Sequence, residues 1–115
     1  MTVYVDDMYR YPVGQYGRMK MSHLIADTDE ELHAMARAIG VARRWWQAPP
    51  RHDSHYDICM SMRDKAVSLG AVAITLRQCS AMNMLRRVTG ALGAPHDAEE
   101  WATTNRRPKP EHVPP

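Results

Sequence analysis

The sequence contains no phenylalanine and only two cysteines, Cys59 and Cys79, neither of which belongs to a C-x-x-C pair. That excludes a disulfide framework and a cysteine-type zinc site, and it fits a reducing compartment. No apolar run approaches the roughly 18 to 20 residues that span a bilayer, so no membrane association is expected. The opening Met1-Thr2-Val3-Tyr4-Val5-Asp6-Asp7 has no basic stretch and reaches two acids at once, which is unlike a signal peptide. The expectation from these features is a cytoplasmic protein. A large charge excess is also missing. The formal net charge is +2, and Arg106, Arg107 and Lys109 against Glu111 account for all of it. The preceding residues balance, so a broad phosphate-backbone footprint is excluded and nucleic-acid binding is expected only through the basic tail. The P-loop, G-x-G-x-x-G, G-x-S-x-G and H-E-x-x-H patterns are absent as well, and with them the common nucleotide-binding and hydrolase signatures.

What remains is globular in proportion: 115 residues, 44% hydrophobic and 24% charged, the size of one domain. Nine methionines stand where phenylalanines are missing, and their flexible thioethers suit irregular packing. Thr2-Val3-Tyr4-Val5 reads as a short strand cut off by Asp6-Asp7. Residues 8–18, with Pro12, Gly14, Gly17 and three tyrosines, read as a long loop. Ser22 to Ala26 reads as a second strand running into a helix, with Thr28 and Glu31 at capping-box spacing. Leu32, Met35, Ala36 and Ile39 follow at i, i+3, i+4 and i+7, and Gly40 supplies a stop. Val41 to Gln47 is expected as a third strand, ended by Ala48-Pro49-Pro50. A polar loop over residues 51–57 leads to a second helix with Ile58, Met62, Ala66 and Leu69 on one side. Ala71 to Thr75 reads as a strand covered on both faces, and residues 78–89 as a third helix.

Strands alternating with helices predict a small three-layer α/β domain with a mostly parallel sheet of about four strands and about three helices. Residues 1–90 are expected to form it. Residues 91–115, rich in Gly and Pro, are expected as a largely flexible extension, ordered at most around Trp101.

In an open parallel sheet, ligands bind beyond the carboxyl ends of the strands. Asp6 and Asp7, then Asp27, then Gln47 with the His loop, then Thr75 and Arg77 would all meet at that rim. Adjacent acids point opposite ways, so one of Asp6 and Asp7 at most enters the crevice. Either can hold Mg²⁺ or Mn²⁺ through carboxylate oxygens, or cap a turn. His55-x-Asp57, with His52 and Asp53 beside it, offers an imidazole and a carboxylate that can move a proton or bind a metal. The same segment can also be a helix cap, with Ser54 as N-cap and Asp57 at N3. His23 is either a satisfied core histidine or, by strand parity, a group aimed at the rim. His33 reads as surface. Arg77 can hold a phosphate bidentately or pair with Asp6 or Asp7, and Arg63 can join it or sit on a solvated face. Trp45 and Trp46 read as one core and one lining residue.

Val3-Tyr4-Val5-Asp6-Asp7, Ser22-His23-Leu24-Ile25-Ala26-Asp27 with Glu31-Leu32-His33, and His55-Tyr56-Asp57 with Arg63 and Gly70-Ala71 resemble the family called domain of unknown function 4031. The resemblance spans about residues 1–80 and is most specific at the Asp-Asp strand exit and the His-Tyr-Asp triplet. It implies a small cytoplasmic protein of bacterial or phage origin, and it implies no activity.

The residues themselves point to a divalent-metal-dependent hydrolase acting on a phosphate-containing small molecule or nucleotide. Asp6 or Asp7 with Asp57 would hold Mg²⁺ or Mn²⁺. His55, Asp57 and Asp7 would be catalytic, with Arg77, Arg63 and His23 toward the substrate. The alternative is a non-catalytic module that binds a ligand or protein through its Tyr-rich loop and Trp pair.

Overall fold

The computed structural model of the chain describes residues 2–105. Val3, Tyr4 and Val5 favour extended backbone and form β1 (Val3–Val5). Two 3-10 turns follow, Met8–Arg10 and Pro12–Gly14. Gly14 is required there, because a Cβ at that position would stand 2.2 Å from the Met8 carbonyl oxygen. The chain then makes a hairpin of β2 (Gln15–Tyr16) and the long β3 (Met19–Ala26). That hairpin brings β3 back antiparallel to β1, with Val5 opposite Leu24. Leu24 also faces Tyr56 of β4 (Tyr56–Cys59), so β1 and β4 flank β3. Only β5 (Val72–Ala73) pairs in parallel, with β1.

The five-stranded sheet is therefore mixed rather than mostly parallel. Parallel pairing needs a crossover connection, and residues 8–18 turn the chain round instead. Three other expectations change with it. Arg43–Trp45 forms a 3-10 turn rather than a third strand, and only Gln47 bridges to His55; Pro49 and Pro50 have no N–H to carry a ladder further. Tyr56 to Cys59 are committed to β3, so the second helix starts at Met60. The run after Gly70 pairs only at Val72 and Ala73, which lie exposed at the sheet edge.

The helices are α1 (Asp29–Ile39), α2 (Met60–Ser68), α3 (Leu76–Thr89) and α4 (Pro95–Thr104). The expected cap of α1 forms, with Thr28 Oγ1 accepting from the Glu31 N–H at 3.2 Å and Gly40 ending the helix at φ 88°. Strand alternation divides the core into two. Val5, Leu24, Ala26, Tyr56 and Ile58 pack against Leu32, Ala36 and Ile39 of α1 and Ala66 of α2. Tyr4 and Ile25 face the other way, onto Cys79 and Met82 of α3 and Ala98 of α4. The three-layer arrangement follows. Helix α4 lies where a flexible extension was expected: Leu92 and Ala98 are buried against α3, and burial of apolar surface orders the segment. The basic tail, Arg106 onward, lies outside the described residues. No helix among them is long and apolar enough to cross a membrane.

Candidate metal centre

Met19, Met21 and His23 of β3 alternate with the residues that face α1, and Asp57 and Cys59 of β4 lie opposite His23 and Met21. They share the face of Tyr4 and Ile25, which α3 and α4 cover. Beyond those two helices the face is open, and the polar side chains collect there.

Asp6 leaves β1 with its carboxylate fully buried. Its Oδ1 accepts the backbone N–H groups of Met8 at 3.1 Å and His23 at 2.9 Å, and its Oδ2 lies 2.6 Å from His23 Nδ1. An ionised carboxylate only accepts, so Nδ1 carries the proton and the His23 Nε2 lone pair faces outward. His55 is fixed the same way by a backbone group: its Nδ1 lies 2.6 Å from the Asp53 carbonyl oxygen, which leaves Nε2 bare. Both nitrogens point at Asp57 Oδ1, His55 Nε2 at 3.5 Å and His23 Nε2 at 3.8 Å. That oxygen is buried and has no hydrogen-bond partner among the described residues, while Gln47 Nε2 donates to the other carboxylate oxygen at 2.7 Å. The two rings meet edge to face, 5.1 Å between centroids.

Three lone-pair-bearing atoms thus lie within 4.8 Å of one another. Tetrahedral coordination at about 2.0–2.1 Å sets ligand atoms about 3.3 Å apart, close to the observed spacing. Each histidine donates its other N–H to an oxygen, as metal-bound histidines do. Protons compete with a metal for these atoms. Burial opposes charge on His23, yet the Asp6 carboxylate raises its pKa above the ordinary 6.5. Burial pushes Asp57 up, but His55, Gln47 and His23 together hold it below the usual carboxylate range. Two imidazoles and one carboxylate suit Zn²⁺, Mn²⁺ or Fe²⁺; Mg²⁺ prefers oxygen throughout. A second group, Asp6, His23 and Cys79, has a less suitable donor. Burial, with Asp6 beside it, keeps the Cys79 thiol protonated.

Of the residues singled out from the sequence, His55, Asp57 and His23 come together, and Asp6 stands behind His23 rather than among the three facing atoms. Asp7 turns the opposite way: its Oδ1 accepts the Leu76 N–H at the start of α3 at 2.6 Å, and Arg10 lies 3.7 Å from its Oδ2. Arg63 donates from Nε to the Asp6 carbonyl at 2.8 Å, its guanidinium lying over the Tyr9 ring. Arg77 is exposed and faces Glu99 of α4 at 3.4 Å, so it neither reaches the site nor pairs with Asp6 or Asp7. Asp27 lies at the other end of β3, accepting the Thr2 N–H, because that strand runs antiparallel. Ser54 is no helix cap: buried, it accepts from Trp46 Nε1 and donates to Asp29. Gln47, expected at the rim, does reach the site through Asp57; Asn83, Arg86 and Arg87 were not legible as site residues, since none lies in a motif with the triad.

Two cavities border the triad, one on the side of His23 and His55, the other on the side of Asp57. One, about 300 Å³, is walled by His23 and His55 with Ser80, Asn83 and Arg87. The other, about 760 Å³, has Asp57 and Gln47 at one side and Met8, Met19, Met21 and Met62 among its walls. Arg87 grips Asp53 with two hydrogen bonds, 3.0 and 2.7 Å, tying α3 to the loop that carries His55. No curated protein and no solved structure matches the chain. The model of a family described as a protein of unknown function, DUF4031, matches residues 3–87, and the chain belongs to that family.

Proposed function

We propose that the protein is a metal-dependent hydrolase of a phosphate-containing small molecule, with the metal on His23 Nε2, His55 Nε2 and Asp57 Oδ1. One observation carries this reading: a buried carboxylate oxygen without a hydrogen-bond partner, faced by two imidazole lone pairs. Acceptors so arranged repel one another unless a cation stands among them. Three protein ligands leave a coordination position for water, as in catalytic rather than structural sites. A bound metal lowers the pKa of that water and polarises a phosphoryl oxygen. His23, His55 and Asp57 would hold that ion beside the ester, and in hydrolysis water would add its oxygen to phosphorus while the ester P–O bond breaks and the leaving oxygen takes the electron pair and a proton from that water. Asp6 and the Asp53 carbonyl hold the two rings in the ligating tautomer throughout. Mn²⁺ was already in the sequence-based expectation, and Zn²⁺ takes the place that Mg²⁺ held there.

Calorimetry with Zn²⁺, Mn²⁺ and Mg²⁺ on the wild type, His55→Ala and Asp57→Asn tests the site. Tight 1:1 binding of Zn²⁺ or Mn²⁺ by the wild type, lost in both variants, is expected; equal binding by all three proteins rejects it. Release of phosphate from a panel of monoesters by the loaded protein tests the chemistry. A second reading, a non-catalytic binding module, draws on Tyr16 and Trp45, exposed and both in the walls of the larger cavity. Metal binding without turnover of any ester would favour it.

A further inference from the structure

The two cavities that border the triad from its two sides differ in chemistry, and together they describe a substrate. In the small one, Arg86 donates to Asn83 Oδ1 at 2.7 Å and to the Ser54 carbonyl at 3.3 Å. That fixes the Asn83 amide with its oxygen toward Arg86 and its NH₂ group turned the other way, one N–H toward Cys79 Sγ at 3.8 Å and the second left to donate. Asn83 Nδ2, the Ser80 hydroxyl and Arg87 are then donors beside the two histidines. Arg86 is half-buried, so its charge is weakly screened by solvent. Asp53 also lines this cavity but is held by two hydrogen bonds from Arg87, and a divalent ion on the triad would offset Asp6 and Asp57, with the Arg86 guanidinium behind Asn83. An anion is the complement of that end.

The larger cavity is the opposite. Four methionines, Val13, Val41 and Trp45 stand among its walls, and among the described residues Asp57 and Arg44 are its charged ones. Its 760 Å³ is the size of a small-molecule site, and methionine adapts its shape to apolar ligands. Met19 and Met21 share the sheet face of His23, and Cys59 that of Asp57, so the apolar surface runs up to the metal ligands without a break.

We propose that the substrate is a phosphate monoester of an apolar alcohol or phenol. Its phosphate lies on the metal beside Asn83 and Ser80, and its organic group lies in the methionine-lined cavity. This inference rests on the metal-centre reading. A nucleotide fits it less well, because the larger cavity offers few polar groups for a ribose.

The test uses the Zn²⁺-loaded full chain and three non-hydrolysable or simple anions: phenylphosphonate, methylphosphonate and inorganic phosphate, titrated by calorimetry. Phenylphosphonate is expected to bind at least about tenfold more tightly than methylphosphonate, as burial of a ring implies. Met21→Ser should reduce that preference, read as the ratio of the two phosphonate affinities. Met19→Glu, at the exposed mouth, should reduce it without touching the fold. Asn83→Leu should weaken all three anions and leave Zn²⁺ affinity intact. Equal affinity for the two phosphonates overturns the apolar half. Zn²⁺ binding with no anion binding overturns the phosphate half while the metal centre stands. Failure to bind Zn²⁺ removes the metal centre itself.

Discussion

Asp6 decides which nitrogen of His23 is available. Its carboxylate can only accept, so Nδ1 must hold the proton and Nε2 must be bare. Asp6→Asn turns that logic round, because the amide NH₂ facing Nδ1 stabilises the tautomer with the proton on Nε2. Loss of such a supporting group commonly costs 10- to 100-fold in metal affinity, and a drop of about that size is expected for Zn²⁺, measured by competition with a chromophoric chelator. An unchanged affinity would show that the tautomer is set elsewhere. The sequence made part of this legible. Two adjacent acids at a strand exit must diverge, and they do, Asp6 inward and Asp7 to the start of α3. The His-x-Asp spacing put His55 and Asp57 together on one short segment. The role of Asp6 was hidden, because it depends on His23 lying opposite it, a pairing made across 17 residues. The methionines were read as filler; four of them instead wall a cavity, which no linear pattern distinguishes from packing.

Among the elements, α1 was the most legible, because its cap, its apolar spacing and its Gly40 stop are all local. The sheet was not, because strand direction depends on whether a connection reverses or crosses over. Here the Gly17 hairpin reversed the chain, and that displaced Asp27 from the expected rim and brought His23 beside Asp57. His33 joins α1 to β4 and is less a surface residue than its spacing suggested. Its Nδ1 meets the Tyr56 hydroxyl at 2.8 Å and its ring stands edge-on to Trp46. Burial lowers its pKa from the ordinary 6.5, Arg43 and Arg37 add to that, and Asp29 opposes it. The unfolded chain therefore binds the proton more readily. The contribution of His33 to stability is full above pH 6.5 and is lost as the pH falls from there through the folded value. His33→Gln cannot titrate, so the stability difference between wild type and variant should be larger at pH 8 than at pH 5. Urea midpoints at the two pH values, with chelator present, measure it; a constant gap would place the ring's titration outside the fold's energetics.

For the whole molecule, the near-neutral charge gains a different meaning once the centre is considered. The described body carries its charges in opposed positions, with Asp6 and Asp57 inside the cleft and Arg63 and Arg86 beside them, so a divalent ion changes the local balance more than the total. The ligands come from β3, from β4 and from the loop before β4, and the groups that orient them come from the end of β1 and from the same loop. These segments are held together only in the folded chain, so an ion that binds them stabilises the fold against an unfolded state that has no preformed site. At 100 times the dissociation constant that linkage is about 2.7 kcal/mol, or roughly 10 °C in Tm for a domain of this size. Thermal scans of the wild type with and without Zn²⁺ at that excess should show the rise, and EDTA should reverse it. His55→Ala should melt at the same temperature with and without the ion. Protons compete for the same lone pairs, so the rise should shrink as the pH is lowered. A wild-type Tm indifferent to Zn²⁺, Mn²⁺ and EDTA would mean that the two imidazoles and the orphaned Asp57 oxygen share a proton instead of a metal.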